Sequence, residues 1–184
     1  MDLPPLAAVL LLLAIAFVLY FVFATFVFGA GYQPAPRRVV ERMLEGGAVG
    51  PSDRVYDLGA GTGAIVFRAA RERKATVVAV EVEPIRVAIL RLRRAFGGPR
   101  ERVEVRWGNM FDLDFRPATV VMAFLWPGAM ARLRPMFESQ LSHGARVVSH
   151  WHPVPGWTPD EFDAETRVYV YRWQGSPSAP TAPG

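Results

Sequence analysis

The chain has 184 residues, a formal net charge of +4 and no cysteine. The missing thiols exclude a disulfide framework, a thiolate metal site and a cysteine nucleophile. The charge rests on 20 arginines and a single lysine, Lys74; Ala, Gly and Pro are also abundant, which points to a compositional bias of the genome, and a basic surface suits either phosphate array, lipid or nucleic acid.

Residues 6–28 carry no charged side chain. Such a run is long enough to cross a hydrocarbon core of about 30 Å at ~1.5 Å per residue, so residues 1–30 are predicted to be a transmembrane anchor. The leading Met1-Asp2-Leu3-Pro4-Pro5 lacks the basic start of a signal peptide, and the apolar run is too long for one. Arg37, Arg38 and Arg42 follow the run while no basic residue precedes it, which places the rest of the chain on the cytoplasmic face of a cell membrane, as a single-pass protein. Tyr20 and Tyr32 read equally well as interfacial anchors and as lipid-facing or packing residues.

After a Gly/Pro-rich joint over residues 29–36, a helical period runs through Val39, Val40, Met43 and Leu44 to Gly46-Gly47. Strands are predicted over 54–58, 76–82, 102–107, 119–124 and 145–149, and helices over 64–73, 84–96 and 130–141. Residues 166–173 alternate as a last strand, antiparallel at the end of the sheet, and residues 175–184 read as a disordered tail. The alternation implies an α/β fold in one domain, residues 31–174: a doubly wound, mainly parallel sheet with helices on both faces.

The strongest local pattern is V-Y-D-L-G-A-G-T-G, residues 55–63, where an apolar strand enters a glycine loop that opens a helix. Gly59, Gly61 and Gly63 admit backbone conformations and close approach that a Cβ obstructs. A dinucleotide fingerprint requires glycine at position 64, which is Ala64. The spacing with a preceding acid, Asp57, fits class I methyltransferases better. Glu81 ends the second strand, where a carboxylate accepts hydrogen bonds from both hydroxyls of a ribose; its loss should weaken cofactor binding and leave ligand-free stability nearly unchanged. Glu83 competes for that role but precedes Pro84, and is read as a helix N-cap or first-turn charge. Asn109, after the third strand, is placed at the adenine edge, or is simply a turn asparagine.

With these motifs the core, residues 33–173, resembles the small archaeal protein-lysine methyltransferases and their eukaryotic relatives that methylate the ATP synthase c subunit and the adenine nucleotide translocase. The resemblance rests on Q-P-A-P-R-R-V-V-E-R-M-L, Y-D-L-G-A-G-T-G, V-A-V-E-V-E-P, F-L-W-P and V-V-S-H-W-H-P-V-P-G-W-T-P-D, the last being the most specific. It implies a Rossmann-like class I fold, S-adenosyl-L-methionine as cofactor and a protein substrate, membrane-associated if the anchor holds. Relatives often carry G-x-G-D-G-R where this chain has Gly61-Thr62-Gly63-Ala64, and Asp where it has Asn109.

Methyl transfer to a lysine needs a neutral amine aligned with the S–CH₃ bond and shielded from water. A lysine of reference pKa about 10.4 loses its proton more readily in an apolar channel. Phe124, Leu125, Trp126 and Pro127, with Trp151 and Trp157, are the candidate walls, and His150 is the candidate to accept a proton or orient the amine. His143, His150 and His152 lack a helical i, i+4 pair, so no metal site is expected. Nucleic acid is disfavoured as a substrate because the fourth strand ends in F-L-W-P rather than the [D/N]-P-P-[Y/F] that holds an exocyclic amine. Lipid, quinone or small-molecule methylation, and a non-catalytic cofactor-binding scaffold, are the alternatives.

Overall fold

The computed structural model describes residues 4–27 and 33–175; in the first helix, side chains are described as far as Tyr20, apart from residue 18. The chain divides into two compact units, Met1–Gln33 and Pro34–Gly184. The first holds α1, Pro5–Val27, which coincides with the uncharged stretch of the sequence. Among the described residues no helix is long and apolar enough to cross a membrane; the described side chains of α1 stop short of the roughly 20 that a span needs. Residues 29–32 of the Gly/Pro joint, Tyr32 among them, and residues 176–184 lie outside the described residues.

The second unit begins with α2 (Arg37–Gly46) and continues β1 (Arg54–Leu58), α3 (Ala64–Glu72), β2 (Thr76–Glu81), α4 (Pro84–Gly97) and β3 (Val103–Trp107). A 3-10 turn, Met110–Asp112, leads to β4 (Val120–Ala123), α5 (Pro127–Gln140), β5 (Arg146–His150), β6 (Glu161–Asp163) and β7 (Val168–Arg172). The seven strands form one sheet in the order β3-β2-β1-β4-β5-β7-β6. The first five are parallel, whereas β7 pairs antiparallel with both β5 and β6.

Alternation within the strands divides the core into two layers. Val55, Val77, Ala79, Met122 and Val148 face α2 and α3. Tyr56, Val78, Val80, Val121 and Val147 face the other way, onto Met130, Leu133 and Phe137 of α5. Strands buried on both faces must be nearly continuous in apolar residues, as β2 and β4 are. Order reverses between β1 and β4, which opens a crevice at their carboxyl ends.

Two details differ from the sequence reading. Helix α5 starts at Pro127 rather than 130, because proline is accepted at the first helical position, where its missing N–H is no loss. The edge of the sheet is β6, not the last strand. Three residues are too few for a periodic signal, and β6 is held instead by Arg42 of α2, which bonds Glu161 and Asp163, each at 3.0 Å.

At the amino ends of the parallel strands, Asp53 gathers β1, β4 and β5. Its carboxylate accepts from the Gly50 N–H at 2.8 Å, from the Thr119 hydroxyl at 2.8 Å and from Arg146. The Thr119 oxygen in turn accepts from the Arg54 N–H at 2.9 Å. Asp53 is buried, so its removal strands three donors. Asp53→Ala is expected to lower the unfolding free energy by about 2–4 kcal/mol while leaving cofactor affinity unchanged, since the crevice lies at the opposite end of the strands. Denaturant unfolding and calorimetric titration of the same preparation check both halves.

Candidate active site

The glycine loop between β1 and α3 is sewn to the end of β2. The N–H groups of Gly59 and Ala60 both donate to the Val80 carbonyl at 2.9 Å, and the Gly63 N–H donates to the Ala60 carbonyl at 2.8 Å. Gly59 and Gly63 adopt φ of 74° and 88°, a region open to glycine. A Cβ on Gly63 would also stand 2.6 Å from the Phe67 ring.

Glu81 locks this loop. One carboxylate oxygen accepts from the Gly61 N–H at 2.8 Å, and the other accepts from the Val82 and Glu83 N–H groups, each at 3.0 Å. An ionised carboxylate offers about four acceptor positions, and three are filled. One position is therefore left for a ribose hydroxyl, and holding both hydroxyls requires exchanging a loop bond. This overturns the expectation that Glu81 is dispensable for ligand-free stability: the side chain is 3% exposed, and its loss leaves three backbone donors without their acceptor. Glu83 is the N-cap of α4, accepting from the Ile85 N–H at 2.9 Å and the Arg86 N–H at 2.8 Å. The capping oxygens make it a fold residue.

Asp57 lies on β1 two residues before the loop, also 3% exposed. Burial, and secondarily the negative charge of Glu81, raise its pKa to about 7. Two buried carboxylates beside a glycine loop suit S-adenosylmethionine, which carries a sulfonium, an ammonium and a ribose diol. The donor set fits a cationic ligand, and Asp57, Glu81 and the loop amides are the groups that would hold it. Asn109 is exposed, and its side-chain oxygen accepts from the Phe111 N–H at 3.1 Å, capping the 3-10 turn. That is the turn-asparagine geometry.

The segments after β4 and β5 meet at the same end of the sheet. Leu125 is buried against Gly59: a Cβ there would stand 3.3 Å from the leucine side chain. Phe124 packs on His150, ring centroids 4.4 Å apart, and Trp126 stacks on His152 at 5.9 Å. Trp151 meets His150 edge-on at 5.9 Å, and the Arg167 guanidinium lies 4.6 Å from its ring centroid. Exposed indoles rim this mouth: Trp126 at 57% and Trp151 at 45%. Burial lowers the pKa of His150, partly offset by the backbone of Arg167 and Thr166, and no hydrogen bond of standard geometry reaches its buried Nδ1. Such an imidazole is neutral near pH 7.

Trp157 does not join this group. Its N–H donates to Glu138 at 2.9 Å, and its ring stacks on Trp173 at 4.9 Å and packs against Phe137. Trp173 pairs with Ala145, at the amino end of β5, so Trp157 sits toward the opposite end of the strands from His150. The chain after β5 doubles back along the sheet, which no local pattern reveals. His152, which stacks on Trp126, was not singled out from sequence as a member of the mouth; its signal was position alone, just past β5.

Because its folded pKa is raised, Asp57 contributes stability that is full below the ordinary carboxylate range and lost as pH rises through about 7. Asp57→Asn removes that loss. The melting temperature of the variant minus that of the parent, both ligand-free, is expected to be more positive at about pH 8 than at about pH 5. A difference that does not vary with pH would show an Asp57 ionised as in water.

Comparison with known proteins agrees with this architecture. Residues 57–161 match the model of the ANTKMT methyltransferase domain. The chain is 41% identical over 133 residues to a protein-lysine N-methyltransferase of Saccharolobus islandicus, covering 71% of this chain and 81% of the relative. It is 31% identical over 147 residues to the adenine nucleotide translocase lysine N-methyltransferase of Mus musculus, covering 79% of this chain and 64% of the mouse protein. Among solved structures, an RNA methyltransferase from Salinibacter ruber in complex with S-adenosyl-L-homocysteine superposes with a TM-score of 0.73 at 42% identity, over 80% of this chain and 97% of that one. With the glycine loop, the buried carboxylate pair and the aromatic mouth in place, the chain belongs to the ANTKMT methyltransferase family and is an S-adenosylmethionine-dependent methyltransferase.

Proposed function

We propose that this enzyme methylates lysine side chains of proteins, and that α1 holds it at a membrane. The observation that carries the first part is the mouth itself: Phe124 and Trp151 pack on the buried His150, Trp126 stacks on His152 two residues on, and Leu125 connects that mouth to the glycine loop. The names of the Saccharolobus and mouse relatives point the same way. The support for the second part is the 23-residue helix without a charged side chain and the three arginines that follow it.

The cofactor supplies an electrophilic methyl group on a sulfonium. The protein's part is to bind, align and dry the amine. Exclusion of water from an apolar channel disfavours the ammonium form, so the lysine reacts with its lone pair free. His150, packed on Phe124 and Trp151, is the residue assigned to take the departing proton. Glu81 orients the ribose through its remaining acceptor position, and Asp57 offers negative charge to a cationic ligand. Trp157 belongs to the packing of α5 against β7 and has no part in this scheme.

A second reading is RNA methylation, favoured by the Salinibacter structure and by the basic charge of the chain. Enzyme and labelled cofactor added to a membrane extract, then separated into protein, lipid and RNA, distinguish the readings. Label in protein, recovered as methyllysine, is expected; label confined to RNA or lipid sinks the proposal. Trp126→Ala should reduce kcat/KM for a protein substrate about tenfold or more and change cofactor affinity less than twofold, because the indole is exposed at the mouth and stacks on His152. Glu81→Ala should weaken cofactor binding about tenfold to a hundredfold, the worth of one or two charge-assisted bonds, and also lower the melting temperature without ligand. For the anchor, a chain starting at residue 34 should leave the membrane fraction and still bind cofactor.

A further inference from the structure

Helix α4 carries four arginines and no acidic residue. It buries Val87 and Leu90 against the sheet and turns the opposite side outward. On that side stand Ile85, Leu92 and Phe96, exposed by 39%, 59% and 83%, with exposed Ala88 between them. At 3.6 residues per turn these positions fall in one stripe, and Arg91 and Arg93 lie on its two borders. Phe96 is more exposed than any other large apolar side chain among the described residues.

Among the described residues no carboxylate forms an ion pair with Arg91, Arg93 or Arg94. Arg94 donates to the carbonyls of Val103 at 2.6 Å and Arg100 at 3.0 Å, Arg93 donates to the Thr62 carbonyl, and Arg100 donates to the Ala95 carbonyl at 2.9 Å. These acceptors are neutral, so the positive field remains. Arg86 differs: Glu83 lies 3.6 Å and Glu81 3.9 Å from its guanidinium. An apolar stripe edged by cations, on a helix whose other face is fixed in the core, has the form of an interfacial helix, in which aliphatic and aromatic groups enter the acyl boundary while guanidinium groups meet phosphate.

The geometry points to the outer face of α4 as a docking surface for an anionic lipid bilayer. Charge complementarity selects the lipid, and the bare Leu92 and Phe96 select a bilayer over a nucleic acid, whose phosphates would leave those side chains in water. The inference stands on α4 alone and requires neither the lysine substrate nor the anchoring of α1.

Because the chain has no cysteine, one introduced thiol reports one position. Phe96→Cys in the full-length protein, labelled with a nitrobenzoxadiazole probe, is reconstituted into nanodiscs of phosphatidylcholine alone and of phosphatidylcholine with phosphatidylserine. A blue shift is expected in the anionic discs and a smaller one in the neutral discs. Ser142→Cys, in the exposed segment before β5, should give no shift in either. Adding Arg91→Glu to the Phe96 variant should diminish the anionic response while methylation in detergent is retained. Absence of a shift, equal shifts at the two labelled positions, equal shifts in both lipids, or a matching shift from RNA added to neutral discs would overturn the assignment.

Discussion

The crevice of this enzyme depends on one buried carboxylate. Glu81 ends β2 and reaches across to the Gly61 N–H while its other oxygen holds the turn into α4. A glycine loop with three positive-φ positions has little steric reason to choose one shape, so something outside it must do so. In water a carboxylate is a weak organiser. At 3% exposure its bonds to N–H groups compete with no solvent, and losing them strands donors at the point where β1, β2 and α4 converge. In the proposed function the remaining acceptor position would let the same scaffold group also meet the ribose.

Asp57 complements this arrangement by a different route. Burial first, and then the charge of Glu81, make ionisation of its carboxylate unfavourable. A cationic ligand relieves that repulsion. The ligand-free crevice is thus an anionic pocket held below its full charge, and this links the electrostatics of the fold to its preference for a sulfonium cofactor.

Much of this was legible in the sequence, and what was not has physical causes. Alternation of apolar runs with helical periods marked the five parallel strands, because strands buried on both faces cannot contain polar residues without exposing the error. Glu83 before Pro84 announced an N-cap, since capping is decided by residues two and three positions away. The bonds of Glu81 were not readable: they depend on where a loop 20 residues earlier comes to rest. Trp157 failed for a related reason. It follows β5 in sequence, as His150 and Trp151 nearly do, yet six residues of irregular chain carry it back along the sheet to Trp173. The three-residue β6 was invisible because its place is set by ion pairs with α2, separated by more than a hundred residues.

Placement of the substrate amine is the claim on which the account stands or falls. A crystal structure with S-adenosylhomocysteine and a lysine-containing peptide tests it most directly. The account predicts the lysine Nζ between Phe124 and Trp126, within hydrogen-bond reach of His150 and facing the glycine loop. A lysine bound away from that mouth, or an RNA base stacked on Trp126 in a parallel complex while the peptide fails to bind, would contradict it.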